Sequence, residues 1–204
     1  MKQFLERMKP YHFQWIGVCC LSLLVGCLSH LDRKPNAFSG RVQVYLCCHS
    51  ENDLYRILCA NNFDCVRFDN VGTAITQIPQ GSSLLILADH YPQEATQITP
   101  QHFEQAHRKR LRLYIEYPDW LPGIEVSQPR CLKIERTVVA SDFFGPNLRK
   151  LCFVSINSKH FVSVNVSEPH LVAARVAGFD TAVYGLPEET FPVLFEHPAL
   201  VKGR

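Results

Sequence analysis

The chain lacks an apolar run long enough to cross a bilayer. Its N-terminal apolar stretch, Trp15 to Gly26, would form about 18 Å of helix against a hydrocarbon core of ~30 Å. An excess of one charge is also missing: 21 Lys and Arg stand against 19 Asp and Glu, a formal net charge of +2. With no basic stripe interleaved with aromatics, that balance gives no case for a nucleic-acid partner. The one basic run, His107-Arg108-Lys109-Arg110, falls at the end of an expected helix, where cations complement the negative end of the dipole. No C-x-x-C spacing is present, which argues against a zinc site. No i,i+4 His pair or carboxylate series supports Asp89, His90 and Glu116 as hard-metal ligands, so no metal is expected. Glycine is missing from the turn after the first strand, where Cys48-His49-Ser50-Glu51-Asn52 stands instead. A dinucleotide or P-loop site is a poor reading for that reason. No cofactor is expected.

What is present begins with an address. Lys2, Arg7 and Lys9 against Glu6 make a positive start ahead of the apolar stretch, and a segment of that design reads as an export signal. It closes on Leu24-Val25-Gly26-Cys27, which resembles the bacterial lipoprotein signal, in which the cysteine is acylated and becomes the new N-terminus. The resemblance implies a signal peptide over 1–26, lipid on Cys27 that holds the protein to a membrane, and a place in the bacterial cell envelope. An ordinary cleaved signal, or a weak anchor with a chance cysteine, is the other reading of the same residues. Residues 28–40 have no periodicity, so 27–40 reads as the lipidated cysteine with its tether and 41–204 as one domain. Cys47, Cys48, Cys59, Cys65, Cys131 and Cys152 fall in that domain. An even count in an exported protein permits disulfides, and Cys59 with Cys65 is the only close non-adjacent pair. Cys47, Cys131 and Cys152 lie in strand-like runs, where cysteine often serves as a small buried hydrophobe.

Along the domain, Arg41 to Cys48 predicts a strand and Glu51 to Asn61 a helix, with Ser50 as its N-cap and Asp53 in the place of the capping-box acid. Phe63 to Phe68 is a second strand and Thr73 to Gln77 a short helical turn. Ser83 to Ala88 is continuously apolar, as expected of a strand buried on both faces of a parallel sheet. Thr99-Pro100 opens a helix through Arg110, and Leu111 to Tyr117 is the fourth strand. This β-α-β-α-β-α-β rhythm predicts a three-layer α/β core with right-handed crossovers. The second half holds short β-like runs: Thr137–Ala140, Lys150–Ile156, Phe161–Val166, Leu171–Ala177, Ala182–Tyr184 and Val193–Phe195. It reads as an antiparallel, β-rich C-terminal extension of the same domain. Glu168-Pro169-His170 reads as a strand lead-in.

Open parallel sheets bind ligands beyond the carboxyl ends of their strands. That rule gathers Cys48-His49-Ser50, Asp69-Asn70, Asp89-His90-Tyr91 and Glu116-Tyr117 on one rim. Cys48 just before a helix, with His90 one strand away as base, would suit a nucleophilic thiol, and Glu116 an acid or base. These are the candidates for a hydrolase. Ser83–Ala88 ending in Asp89-His90-Tyr91-Pro92, the helix to Arg110, then Leu113-Tyr114-Ile115-Glu116-Tyr117-Pro118 resemble a class I glutamine amidotransferase-like domain. The resemblance implies a three-layer, flavodoxin/amidotransferase-like fold. Catalytic members carry a cysteine on a tight elbow after the strand that follows the helix. Here that stretch has no cysteine and no flanking glycine, and Pro118 restricts Tyr117 toward extended backbone. Amidotransferase activity is therefore not carried over.

Glu168-Pro169-His170, Arg175 to Asp180 and Val183-Tyr184-Gly185-Leu186-Pro187 are similar to bacterial proteins in which such a silent domain accompanies a glycosidase-like region. The expectation is a lipid-anchored, non-catalytic binding or accessory module in a carbohydrate-related system. Its partner would be a saccharide or an envelope protein, met through Glu116, Tyr117 and Trp120. Trp and Tyr suit sugar stacking and interface anchoring, although Trp120 could equally pack over the sheet edge.

Overall fold

Leu46, Leu84 and Ile86 have essentially no exposed surface, because they lie on the two inner strands of a parallel sheet covered on both faces. The computed structural model describes residues 43–155 and 160–197. The expected signal peptide, Cys27 and the tether lie outside the described residues. Among the described residues, no helix is long and apolar enough to cross a membrane.

The sheet comprises β1 (Gln43–Cys47), β2 (Asp64–Phe68), β3 (Ser83–Ile86) and β4 (Arg112–Ile115), in the order β2-β1-β3-β4 and parallel throughout. Successive strand residues point to opposite faces. Tyr45, Cys47, Leu84, Ile86, Leu113 and Ile115 meet α2 (Val71–Gln77) and α3 (Pro100–Arg108) through Ala74, Ile75, Phe103 and Ala106. Val44, Leu46, Leu85 and Tyr114 meet α1 (Asp53–Ala60) through Leu54, Tyr55 and Leu58 on the other side. The core is thus three layers of α/β, as the alternation of elements predicted.

Each helix start shows which polar side chain is in reach of orphan N–H groups. Thr99 caps α3 in a reciprocal box with His102, and Pro100 sits in the first turn where its missing N–H costs nothing. Helix α1 is capped by Asn52 rather than Ser50: Asn52 Oδ1 accepts from Leu54 and Tyr55 N–H. Ser50 lies too early to reach them, and Asn52 is itself held by a residue from the loop after the neighbouring strand β3, described below. Past the end of α3, Lys109 Nζ donates to the carbonyls of Ile75, Thr76 and Ile78 at 2.7, 2.7 and 2.6 Å. These belong to the last turn and C-cap of α2, where carbonyls lack helical partners and the dipole is negative. The basic run is thus a helix clamp.

The second half forms an antiparallel sheet of β6 (Arg136–Val139), β7 (Phe153–Val154), β9 (Leu171–Ala174) and β10 (Thr190–Leu194), in the order β10-β9-β6-β7. A two-stranded ribbon joins β5 (Arg130–Cys131) to β8 (His160–Phe161). Val138, Val172, Ala174 and Ala182 form the separate small core of the four-stranded antiparallel sheet. Pro192 lies in edge strand β10, where a missing donor is tolerated, and the register shifts beside it. Several expected strands are shorter than drawn. Leu171–Ala177 stops at Ala174, and Ala182–Tyr184 is a turn that leaves Val183 and Tyr184 exposed. Gly178 is required there: at φ 139° a Cβ would stand 1.8 Å from the Thr181 carbonyl oxygen.

The six domain cysteines are free thiols. Cys131 was expected as a small buried hydrophobe, but it is exposed on the short β5.

Replacing the Lys109 ammonium leaves three carbonyls at the end of α2 without their charged donor. Lys109→Met is expected to lower the unfolding free energy by about 2 kcal/mol in urea titration. An unchanged midpoint would show that water replaces the clamp.

Candidate functional site

The chain runs from β1 outward to β2, then back across β1 to β3, so the strand order reverses between β1 and β3. Loops leaving the carboxyl ends of these two strands diverge and open a crevice there. The residues at that point are His49 after β1 and Asp89-His90 after β3.

Asp89 ties them together. Its Oδ2 accepts from the His49 backbone N–H at 2.7 Å, and its Oδ1 accepts from Asn52 Nδ2 at 3.1 Å. Asn52 in turn caps α1, so a single carboxylate joins the β3 loop, the β1 loop and the start of a helix. The His49 and His90 rings meet edge to face with centroids 5.1 Å apart. Next to them Arg67 pairs with Asp69 and donates to the Cys48 carbonyl at 2.8 Å. That pairing holds the Asp69 carboxyl below its ordinary range.

Cys48 has the opposite environment from the one a nucleophile needs. Its residue is 2 % exposed, within the core under α1. Burial, followed by the charge of Asp89, pushes the thiol up to about 12. His90 is exposed and its ring faces His49. Cys48 with His90 therefore lacks the thiolate on which the sequence-based hydrolase depends.

Glu116 and Tyr117 end β4. Glu116 Oε2 accepts from the Ala88 N–H at 3.0 Å, which places the carboxyl against the backbone leading to Asp89. Burial, with the Asp89 charge added, raises its pKa against that hydrogen bond. Tyr117 is buried and adopts φ 49°, a left-handed conformation rare for a bulky residue. Pro118 was expected to keep it extended, and the surroundings overrule that preference. Thr96 N–H donates to the Tyr117 carbonyl at 2.8 Å, and Thr96 Oγ1 to the Glu116 carbonyl at 2.6 Å. The Asp119 N–H donates to the Thr96 carbonyl at 3.0 Å and Asp119 Oδ1 accepts from the Ile98 N–H at 3.0 Å. Pro118 is itself buried. A turn pinned at this many points can hold a conformation costing about 1–3 kcal/mol.

The Tyr117 ring meets Tyr91 edge to face at 5.0 Å, and its hydroxyl is buried without a hydrogen-bond partner among the described residues. Tyr91 reaches across to β8: its hydroxyl accepts from the His160 N–H at 2.6 Å and donates to the His160 carbonyl at 3.1 Å. Trp120 rests edge-on against Phe103 of α3 and keeps 36 % of its surface exposed. It is partly packed and partly available. A polar groove of about 540 Å³ lies between α2 and α3, with Asn70, Thr73, Gln101 and His102 in its walls.

Among the described residues, no three His, Cys, Asp or Glu side chains converge as metal ligands, so Asp89, His90 and Glu116 do not form a set. Sequence reasoning found the rim and most of its charges. It missed Asn52, Thr96 and Asp119, which position the others. Asn52 was legible as a cap residue beside Ser50, but Thr96 and Asp119 act through partners about 20 residues away and carry no local signal. Comparisons with known protein families, with curated proteins and with solved structures return no match.

Two measurements check this electrostatic picture. A thiol reagent applied to the folded protein at pH 8 is expected to modify exposed Cys59 and Cys131 and to reach Cys48 only on unfolding. Rapid labelling of Cys48 would restore the nucleophile. Because the raised pKa means that the folded protein holds the Glu116 proton more tightly than the unfolded chain does, Glu116 favours folding at acid pH. That contribution is lost as pH rises from 4.5 through the raised value. Compared with Glu116→Gln, the wild type should lose stability over this rise, read as diverging urea midpoints. Parallel profiles would mean that Glu116 ionises normally.

Proposed function

We propose that this chain is a lipid-anchored protein of the bacterial cell envelope. In this reading its α/β domain is a non-catalytic, amidotransferase-like binding or accessory module in a carbohydrate-related system. One observation carries the non-catalytic part: the left-handed residue ending β4 is a buried tyrosine. A nucleophile elbow needs that strained position for an exposed Ser or Cys. The strand order β2-β1-β3-β4 with helices on both faces is compatible with the flavodoxin/amidotransferase-like architecture. The buried Cys48 thiol adds that the neighbouring loop offers no replacement.

Binding would use the surface beside that tyrosine. Trp120 presents a partly exposed indole, and Glu116 supplies a carboxyl whose pKa burial raises. An indole face with nearby donors and acceptors suits a saccharide ring or a partner protein's anchor. A second reading, a carboxylate-based hydrolase, draws on the same Glu116, whose pKa burial raises in the direction that a general acid needs.

The anchor is tested with alkyne-palmitate in a bacterial host expressing the full chain. Label is expected on the wild type and not on Cys27→Ser, and an unlabelled wild type overturns the anchor. For the rim, Trp120→Ala should weaken binding to immobilised envelope polysaccharide or to an envelope partner at least about tenfold with melting unchanged. Loss of folding instead assigns Trp120 to the core. Hydrolysis of a glycoside that disappears in Glu116→Gln would replace the binding reading with the enzymatic one.

A further inference from the structure

The turn that carries the chain from α1 into β2 brings two thiols together. Helix α1 ends in a Schellman motif: Asn62 takes φ 59°, its N–H donates to the Cys59 carbonyl at 3.0 Å, and the Phe63 N–H donates to the Leu58 carbonyl at 3.1 Å. That motif reverses the chain at once, so β2 starts beside the last turn of the helix. Cys65, the second residue of β2, pairs in register with Val44 and lies with Val44, Tyr55 and Leu58 in the layer between the sheet and α1. Cys59, in the last turn of α1, is exposed. The two thiols stand within hydrogen-bond reach of each other, and the Tyr55 hydroxyl, one helical turn earlier, reaches the same Cys59 sulfur.

The other cysteines of the domain are placed differently. Cys47 and Cys48 are neighbours in sequence, but they point to opposite faces of the sheet and both are buried. Cys131 is exposed on β5, its thiol donating to the Leu132 carbonyl at 3.4 Å, and Cys152 precedes β7 in the antiparallel half. Within the Cys59 and Cys65 pair the surroundings also set an order of reaction. Cys59 is the sulfur that an outside disulfide can reach. Cys65 is half-buried, and burial, followed by the charge and hydrogen bond of Cys59, pushes its thiol up to about 11. The second and third of those causes vanish once Cys59 is capped, so capping makes the Cys65 proton easier to lose.

We propose that Cys59 and Cys65 are a disulfide-forming pair, oxidised by thiol–disulfide exchange with an outside disulfide, and that the bond staples the end of α1 to β2. The Cys59 thiolate attacks one sulfur of the oxidant and expels the other as a thiolate, which leaves a mixed disulfide on Cys59. Cys65 gives its proton to solvent and attacks Cys59 Sγ. The bond from Cys59 to the oxidant breaks, and the second oxidant sulfur leaves as a thiolate. The protein pair gives up two electrons, the oxidant disulfide is reduced to two thiols, and these take up the two protons that the protein released. The consequence falls on α1, which alone covers its face of the sheet and whose start is already tied to Asp89 through Asn52. The disulfide holds its other end. The pair is independent of the rim and stands whether or not Trp120 binds anything.

The test uses the full chain in detergent, reduced and then held in oxidised glutathione at pH 8. Remaining thiols are alkylated in denaturant and the chain is digested with trypsin. Cleavage after Arg56 and Arg67 leaves both cysteines on one peptide, 57–67. That peptide is expected to be lighter by the mass of two hydrogens and to resist alkylation until a reductant is added. Cys131 in the same digest is expected to carry glutathione. Closing a short loop should also raise the melting temperature of the oxidised wild type by about 5 °C over its reduced form. In Cys59→Ser, at an exposed position, the same treatment should move melting by less than about 1 °C. Peptide 57–67 recovered as a dithiol, or with glutathione on Cys59, while Cys131 is modified overturns the proposal. An oxidised wild type that melts no higher than its reduced form, or an equal rise in Cys59→Ser, overturns the staple.

Discussion

A parallel sheet can be covered only by the helices of its own crossovers, and here four short strands depend on three short helices. Helix α1 alone shields one face, and α2 and α3 share the other. Helices of this length form because their apolar faces dock, not because the segments are helical in isolation. Each must therefore be held at its ends. Asn52, Asn70 and Thr99 cap the starts, and Lys109 ties the end of α2 to the end of α3. The same geometry decides where polar residues collect. Every crossover begins at the carboxyl edge, so every loop that leaves a strand there brings its charges to one rim.

At that rim most charges have structural employment. Asp89 spends its oxygens on the His49 N–H and on Asn52, and Arg67 spends its guanidinium on Asp69 and the Cys48 carbonyl. Satisfying these groups allows Cys48 to lie in the core beneath them as a packing thiol. What the arrangement leaves over is the end of β4: a half-buried carboxyl, a left-handed tyrosine whose hydroxyl has no partner among the described residues, and a partly exposed indole. The proposed binding role rests on that remainder.

The parallel core was legible because its signals are local and repeated. Ser83–Ala88 announced a strand buried on both faces, and Thr99-Pro100 announced a helix start. The antiparallel half was less legible, since strands of two to five residues pair with partners far along the chain and their ends are set by those partners. Pro192 illustrates the difficulty: within a strand it argues against one, and only its edge position permits it. For the site, the strand-end rule found Asp89, Glu116 and Tyr117, but residue type misled at two points. Cys48 read as a nucleophile candidate from its place before a helix, and Pro118 read as constraining Tyr117 toward extended backbone.

By itself the sequence determined the α/β core and the rim on which its polar loops meet, because periodicity and capping act within a few residues. Tertiary structure alone decided what those polar residues do. Burial made Cys48 inert, and Thr96 and Asp119 overrode the backbone preference of Tyr117. Desolvation and hydrogen bonding depend on neighbours that only folding brings together.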